Sequence, residues 1–268
     1  MPSLARICVF PIKSLDGVTL NAATLTAGGG LRYDRRFALV DAEGRFINGK
    51  RTAAVHRVRA EFDIEAETVR LGRQGEEKRE TFSLVDERRR LEEWFSQFFG
   101  MTVTMIENRK GGFPDDTAAP GPTVISTQTL QTVADWFALP LDETRRRFRA
   151  NLEIDATAPF WEDRLFGPDS RAVAFQIGDV SLLGTNPCAR CVVPSRAAEG
   201  GEPTPQFVQR FVERRRAALP PWAATERFDH FYRLAINTQI QDGSSAAGAE
   251  LRVGDAVRIL ESPEEPPL

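Results

Sequence analysis

Two cysteines separated by two residues form the most informative motif of this sequence. Cys188-Ala-Arg-Cys191 follows an apolar stretch typical of a β-strand and lies between Pro187 and Pro194. An arginine beside a thiol lowers the thiol pKa, and a loop gives the resulting thiolate access to reactants. Thiolate sulfur is also the ligand that thiophilic metals prefer. The motif therefore indicates a cysteine that ligates a metal or takes part in redox chemistry.

Other interpretations of the cysteine pair stay open on the motif alone. A structural zinc site needs a second cysteine pair or suitably spaced histidines, and His56 and His230 lack that spacing. A thioredoxin-like pair opens a helix, whereas Val192-Val193-Pro194 follows here and does not favour one. Two buried cysteines without chemistry are a further alternative.

Basic and amide side chains stand out in three other segments. Lys13 and Ser14 lie where the first predicted strand turns, and Arg35 comes shortly after three consecutive glycines. Arg149 and Asn151 lie two residues apart, on one face of a predicted extended segment. Ammonium and guanidinium groups bind phosphates, and an amide can donate to and accept from a heterocycle. Solvated turns and ordinary ion pairs with neighbouring acids are the alternatives for these segments.

Charged runs elsewhere have plainer interpretations. The arginines at 145–147 and 214–216 are typical of solvated helix faces. Glu162 and Asp163 either orient nearby arginines or belong to a charged loop.

Composition narrows the class of protein. The chain has 268 residues, 41% hydrophobic and 27% charged, which are globular values. A formal net charge of −3 gives no overall basic field for nucleic acid or an anionic membrane. No apolar run is long enough to span a bilayer, and the N-terminus does not resemble a signal peptide. Three cysteines are too few for a secreted disulfide framework. We therefore expect a cytoplasmic protein that binds neither nucleic acid nor membrane.

Short strands and frequent turns dominate the first hundred or so residues and favour a barrel or sandwich. Strands are predicted over 18–25, 55–64 and 81–85, with a hairpin over 37–48. Helices are predicted to begin after Asp86, Ser126 and Thr204.

A linker rich in glycine, proline and aspartate covers residues 108–122. It predicts two domains, 1–115 and 116–268. Strands over 172–184, 232–236 and 250–260 would give the second domain its own sheet, and the tail 261–268 is predicted to be loose.

The order of these motifs is more specific than any one of them. Along the chain the sequence reads PIKS, GLRYDRRF, RFRANLEI, WEDRLF, CARC and VGDAVRIL. This order resembles the MOSC superfamily over roughly residues 4–261. It is most similar to the branch with a MOSC N-terminal β-barrel domain, which includes the mitochondrial amidoxime-reducing component and its bacterial relatives. The resemblance implies a β-rich α+β protein, in which an N-terminal β-barrel-like domain precedes a mixed α+β MOSC β-barrel domain.

The resemblance also implies a molybdenum cofactor of the molybdopterin type. Cys191 would be the catalytic residue and the thiolate ligand of molybdenum. The residues that would hold the pterin and its phosphate are Lys13, Ser14, Arg35, Arg149, Asn151 and Arg190. The implied activity is an oxidoreductase that reduces small N-hydroxylated compounds, such as amidoximes, hydroxylamines and N-hydroxylated purines. Electrons would come from a separate donor protein, ferredoxin-like or flavin-reductase-like, since three cysteines cannot bind a four-cysteine cluster.

Two departures from the family pattern stand out. Ala118-Ala-Pro-Gly121 occupies a stretch where relatives often have hydroxyl residues, and Ala189 stands where a serine occurs elsewhere. Two other functions fit the resemblance as well. In the first, Cys191 or Cys188 carries persulfide sulfur in molybdenum cofactor metabolism. In the second, the protein stores or delivers the cofactor without turnover.

Overall fold

The computed structural model describes residues 1–241 and 246–260, and strands are the main elements of these segments. The strands are β1 Ser3–Val9, β2 Val18–Leu20, β3 Ala22–Thr24, β4 Phe37–Val40, β5 Val58–Asp63, β6 Thr68–Arg73, β7 Arg79–Ser83, β8 Thr104–Glu107, β9 Val124–Ser126, β10 Leu152–Asp155, β11 Val173–Ile177, β12 Val180–Ala189, β13 Arg233–Ile240, β14 Glu250–Arg252 and β15 Val257–Ile259. The α-helices are α1 Arg88–Phe99, α2 Thr127–Phe137, α3 Leu141–Phe148 and α4 Phe207–Ala217. Short 3₁₀ helices cover Ala53–Arg57, Trp161–Leu165, Val193–Ser195 and Thr225–Arg227. The predicted β-rich α+β class is confirmed.

The largest sheet joins the first strand of the chain to strands from its second half. Its order is β15-β11-β12-β13-β9-β10-β1-β2. Strands β9 and β10 pair in parallel, and β1 pairs antiparallel with β10, with Leu4 opposite Ile154. The buried side chains of Leu4, Ile7 and Val9 enter the core of this sheet, as their apolar character requires. The chain after β1 is thereby fixed against the second half of the protein.

A second core belongs to the N-terminal half. Strands β5, β6 and β7 form a three-stranded antiparallel sheet, and β4 pairs with β8. Helix α1 covers this core with Leu91 and Phe95, which lie four residues apart on one face and are fully buried. Gly100 ends the helix in the left-handed conformation, at φ 66. The predicted helix and its end at Gly100 are confirmed, but the helix begins at Arg88, and Glu87 rather than Asp86 occupies the N-cap position.

Three helices form a third core beside the large sheet. Ser126 caps α2 by accepting a hydrogen bond from the backbone N–H of Thr129, as predicted. Phe148 of α3 and Phe207 and Phe211 of α4 are buried together in this cluster. Helices α3 and α4 therefore both pack against α2, which in turn contacts β9 and β10.

Two predictions for the N-terminal half need correction. The strand predicted over 55–64 begins only at Val58, because Ala53–Arg57 forms a 3₁₀ helix. The hairpin over 37–48 keeps its turn, but Val40 and Phe46 form only an isolated bridge. The strand that pairs with β4 along its whole length is β8. Because β8 is distant in the sequence, no local pattern predicted this pairing.

The arginine runs are less solvated than predicted. Arg147 is 5% exposed and pairs with Glu143 at 2.7 Å. Arg215 is 1% exposed and pairs with Asp163 at 2.6 Å. A run of like residues hides this difference, because neighbouring helix positions point in different directions.

The structure does not test the predicted domain division or the predicted loose tail. The domain division into 1–115 and 116–268 stays a prediction, and the large sheet contains strands from both segments. The tail 261–268 lies outside the described residues. Among the helices of the described segments, none has the length and apolar character needed to cross a bilayer.

Candidate functional site

A cavity of about 460 Å³ lies where the turn after β1, the 111–123 segment, the end of α3 and the end of β12 meet. Every residue that the sequence predicted for the site lines it: Lys13, Ser14, Arg35, Arg149, Asn151, Arg190 and Cys191. Cavities of this size are typical of small-molecule and cofactor sites. The structure thus brings together side chains from four segments that are far apart in the sequence.

The cavity wall is strongly cationic. Nine lysine and arginine side chains but only four aspartates are among its described lining residues. The whole chain, by contrast, has a formal net charge of −3. Positive charge is therefore concentrated in one concave region, which suits an anionic ligand.

Arg149 is the least compensated of these cations. It caps the C-terminus of α3, and its guanidinium lies over the Phe10 ring at 4.0 Å from the centroid. Its Nη2 atom is buried and has no hydrogen-bond partner among the described residues. Burial and the nearby Arg35 cation lower the pKa of Arg149 to about 10. A buried guanidinium without a carboxylate is costly unless a ligand supplies the negative charge.

Arg35 and Arg36 point in opposite directions. Arg35 faces the cavity, pairs with Asp34 and lies 5.1 Å from the centroid of the Phe10 ring. Arg36 turns into the N-terminal half, where its guanidinium hydrogen-bonds to Glu67 and Glu107. Arg35 is therefore the candidate for ligand binding, whereas Arg36 joins β4 and β8 to the β5–β6–β7 sheet.

Lys13 is held by an internal anion. Its Nζ atom donates to Asp115 Oδ1 and to the carbonyl oxygen of Phe113, both at 2.8 Å. Burial lowers the pKa of Lys13 from its ordinary value. Burial opposes ionisation of Asp115 as well, but the Lys13 ammonium outweighs it and keeps the pKa of Asp115 well below its usual range. The segment predicted as a linker thus contributes a carboxylate to the cavity.

Three of the cavity residues have left-handed backbone conformations. The φ angles are 74° at Ser14, 49° at Arg35 and 54° at Arg149. Such conformations cost about 1 kcal/mol or more for a residue with a Cβ atom, and they cluster at functional sites. Arg149 is consequently not in the extended segment that the sequence predicted, although it and Asn151 still reach the same cavity.

The side chain of Asn151 is held by hydrogen bonds to the backbone of Cys8 and Thr123. Its Nδ2 atom donates to the carbonyl oxygen of Cys8 at 3.0 Å, and its Oδ1 accepts from the backbone N–H of Thr123 at 3.2 Å. Arg35 Nη1 also approaches Oδ1, at 3.5 Å. The side chain therefore fixes β1 and Arg35 beside the start of β10, and its direct contact with a ligand stays a prediction.

Both cysteines of the Cys188–Cys191 motif line the cavity. Strand β12 becomes irregular at its end, with a shift in register between Pro187 and Ala189. Arg190 Nη1 donates to Cys188 Sγ at 3.2 Å, and Cys191 Sγ accepts from the backbone N–H of Val193 at 3.5 Å. The arginine inside the motif thus contacts the thiol of Cys188, whereas the thiol of Cys191 is contacted by a backbone N–H. The sequence did not reveal this difference between the two cysteines.

Glu162 and Asp163 do not reach the cavity. They are buried in the Trp161–Leu165 helix, where Asp163 pairs with Arg215 and Glu162 accepts from Thr129 Oγ1 at 2.9 Å. Only Asp163 orients an arginine, and that arginine is Arg215 of α4, which is not among the cavity residues. His56, Arg59 and Arg196 also line the cavity, although the sequence did not predict them there. No local motif marks these three residues, because they come together only through the fold.

Family profiles match most of the chain. The profile described as the MOSC N-terminal beta barrel domain matches residues 1–93, and the MOSC domain profile matches residues 123–258. The chain therefore belongs to the MOSC family, with the N-terminal barrel domain preceding the MOSC domain. The predicted family and fold class are both confirmed.

Curated relatives from insects are similar to this chain at low identity. A Drosophila grimshawi protein named molybdenum cofactor sulfurase is 26% identical over 228 residues, which are 71% of this chain and 27% of the relative. The Drosophila melanogaster protein of the same name is 23% identical and covers 76% of this chain and 29% of its own length. The Anopheles gambiae protein is 23% identical, with 71% and 30% covered. The chain thus spans less than a third of the length of these relatives.

Proposed function

We propose that this protein binds a molybdenum–pterin cofactor in the cavity, with Cys191 as the thiolate ligand of the metal. The proposed activity is reduction of small N-hydroxylated compounds with electrons from a separate donor protein. The observation that carries the proposal is the uncompensated guanidinium of Arg149 in a cationic cavity that also contains the Cys191 thiol.

The donor set fits such a cofactor. A pterin dithiolene with a phosphate is strongly anionic, and the cavity offers Arg149 together with Arg35 and Lys13. Guanidinium groups form paired hydrogen bonds with phosphate, and lysine acts as a point charge. Cys191 adds one soft sulfur donor, which suits molybdenum better than a hard oxygen ligand. Family membership supports the same assignment.

The chain's own residues would position and neutralise the cofactor. Arg149 and Arg35 share the Phe10 ring, so they present two cations to one region of the ligand. Cys191 would fix the ligand field of the metal. Arg190 donates hydrogen bonds to Cys188 Sγ and to the carbonyl oxygen of Phe148, and so holds the first thiol in position. When bound, the cofactor supplies two-electron redox chemistry. Each turnover would break one N–O bond, consume two electrons and two protons, and release an amine or amidine and water.

Elemental analysis tests the cofactor assignment. The protein is purified from a host that makes molybdenum cofactor, next to Cys191→Ala and the control Cys8→Ala, whose thiol is not on the cavity wall. We expect near-stoichiometric molybdenum in the wild type and in Cys8→Ala, and its loss in Cys191→Ala. Molybdenum retained by a folded Cys191→Ala variant would remove Cys191 as the ligand. Absence of molybdenum from all three proteins would refute the cofactor proposal.

Sulfur transfer in molybdenum cofactor metabolism is a second candidate, and one observation favours it. Cys188 presents a second thiol to the same cavity, in contact with the Arg190 cation. The insect relatives are also named sulfurases. A persulfide on Cys188 or Cys191, found by mass spectrometry, would favour this function. Reduction of an amidoxime with a chemical electron donor would favour the reductase. Bound cofactor with neither result would indicate a carrier.

A further inference from the structure

A second basic group of the cavity has no role in the cofactor assignment above. It consists of His56 in the Ala53–Arg57 helix, Arg59 in β5, and Arg196, which follows the Val193–Ser195 helix. All three line the cavity. The first two come from the N-terminal half and the third from the loop that follows Cys191, so the group exists only in the folded protein.

Backbone contacts hold the group in place. The N–H of Gly200 donates to the carbonyl oxygen of His56 at 3.0 Å, and Arg59 Nη2 donates to the same oxygen at 2.5 Å. Arg196 Nη1 donates to the carbonyl oxygen of Gly201 at 3.3 Å. The two segments that carry the group are therefore packed directly against each other, which fixes the side chains before any ligand arrives.

Several polar atoms of the group lack partners. Nε of Arg59, Nε of Arg196 and Nε2 of His56 are buried without a hydrogen bond among the described residues. The acids nearest to Arg59 Nη1 are Asp16 at 3.6 Å and Glu199 at 3.5 Å, which is too far for good hydrogen bonds. Buried donors are normally satisfied, so the two unpaired Nε–H groups of Arg59 and Arg196 indicate a missing acceptor.

The group lies at the part of the cavity near the cysteine loop. Gly49 is close to both the His56 ring and the side chain of Val193, which comes two residues after Cys191. Lys13 and Arg35 belong to another part of the wall, where Asp34 and Asp115 accompany them. Burial and the neighbouring cations Arg196 and Arg149 lower the pKa of His56, so Arg149 is within electrostatic reach of this group as well as of Arg35.

We infer that His56, Arg59 and Arg196 form a second anion subsite, which binds a carboxylate or phosphate of the substrate. The inference rests on the proposed function and narrows its substrate class. The preferred substrate is then an N-hydroxylated compound that carries an anionic group, with the N–O end directed toward Cys191. Such an anion would accept hydrogen bonds from the guanidinium groups, and charge-assisted bonds of this type are the strong ones.

Nuclear magnetic resonance tests the subsite without relying on turnover. The protein has two histidines, so the ring signals of His56 can be assigned with a single His230→Gln variant. Inorganic phosphate added to cofactor-loaded protein should shift the His56 signals saturably. Arg196→Ala should weaken this binding about tenfold, and Arg196→Lys should restore part of it. Arg214→Ala, an exposed charge change on α4, is the matched control and should bind phosphate like the wild type.

Turnover and metal content show whether the anion that this group binds belongs to the substrate or to the cofactor. Arg196→Ala should raise the KM of a carboxylated or phosphorylated substrate about tenfold more than that of its neutral analogue. An equal change for both substrates, or no phosphate effect on His56, would overturn the inference. Loss of molybdenum in a folded Arg196→Ala variant would assign the group to the cofactor and overturn it too. The protein could also prove to carry no molybdenum, which would refute the cofactor proposal. The subsite would still stand if phosphate shifts the His56 signals in that protein and Arg196→Ala weakens the effect.

Discussion

The guanidinium of Arg149 lies over the ring of Phe10, 4.0 Å from its centroid, and no carboxylate accompanies it among the described residues. The same ring also faces Arg35, at 5.1 Å. A cation–π contact contributes about 0.5–2 kcal/mol, whereas desolvating a charge costs several kcal/mol. The contact therefore orients Arg149 without offsetting its burial. We propose that an anionic ligand provides the remaining stabilisation, and this makes Arg149 the most informative residue to change.

Arg149→Met should make the ligand-free protein more stable and the ligand-bound protein harder to form. Removing an uncompensated charge from a partly buried position relieves its desolvation, while the anion loses a guanidinium partner. Thermal unfolding of ligand-free protein and molybdenum content after purification are the measurements. Arg147→Met is the control, because Arg147 pairs with Glu143 at 2.7 Å and its loss should destabilise the protein. Equal destabilisation by both changes would contradict this account of Arg149.

Arg35 and Arg36 provide a matched pair of neighbours with different roles. Arg36→Ala leaves Glu67 without this cation and leaves Glu107 with only Arg88 and Arg109, which should cost about 1–3 kcal/mol of unfolding free energy. Arg35→Ala should also lower stability, because it leaves Asp34 unpaired. Only Arg35→Ala should weaken phosphate binding, measured by calorimetry on the folded fraction. Weaker binding in Arg36→Ala would show that the two side chains are not separated as described.

Asp115 should compete with a bound anion for Lys13. Asp115→Asn should raise the affinity for phosphate several-fold, because Lys13 Nζ loses a carboxylate partner at 2.8 Å. Lys13 holds the pKa of Asp115 well below its usual range, so Asp115 should stay ionised between about pH 5 and 8, and any pH dependence of binding in this range should come from the second ionisation of phosphate. Calorimetric titration with phosphate measures the change. Asp116→Asn is the control and should gain less, since Asp116 accepts from Asn237 Nδ2 at 2.9 Å and does not contact Lys13. A fall in affinity for Asp115→Asn would refute the competition.

Glu162 should make stability depend on pH. Burial, and then the neighbouring Asp163, raise the pKa of Glu162 well above its ordinary value. The folded protein therefore keeps a proton that the unfolded chain releases above about pH 4.3. The stabilisation is complete below that pH and is lost as the pH rises through the folded pKa toward neutrality, at up to about 1.4 kcal/mol per pH unit.

Denaturant unfolding of the wild type and Glu162→Gln across this pH range measures the effect. The amide keeps the shape of the neutral carboxyl and does not titrate, so the variant should lose this pH dependence and be the more stable protein at neutral pH. Asp163→Asn is a useful contrast, because it removes the partner of the buried Arg215 and should destabilise the protein at every pH tested. A parallel pH profile for wild type and Glu162→Gln would contradict the raised pKa.

Sequence patterns predicted the local elements best where the signal lies within one element. The cap of α2 by Ser126 and the glycine that ends α1 depend on residues within a few positions of each other. The start of β5 and the partner of β4 were missed, because strand pairing with β6 and β8 is decided by segments far along the chain. The burial of Arg215 was missed for the same reason, since Asp163 lies 52 residues away.

The sequence alone determined the family, the β-rich α+β class and seven of the residues that line the cavity, because each depends on residue types in a fixed order. It did not determine their partners. Only the tertiary structure decided that Arg190 contacts Cys188, that Asp115 neutralises Lys13, and that Arg149 keeps an unpaired guanidinium. It also brought His56 and Arg196 to one wall from positions 140 residues apart. The physical reason is that charge compensation depends on distance through space and on burial, and neither is encoded in any short stretch of sequence.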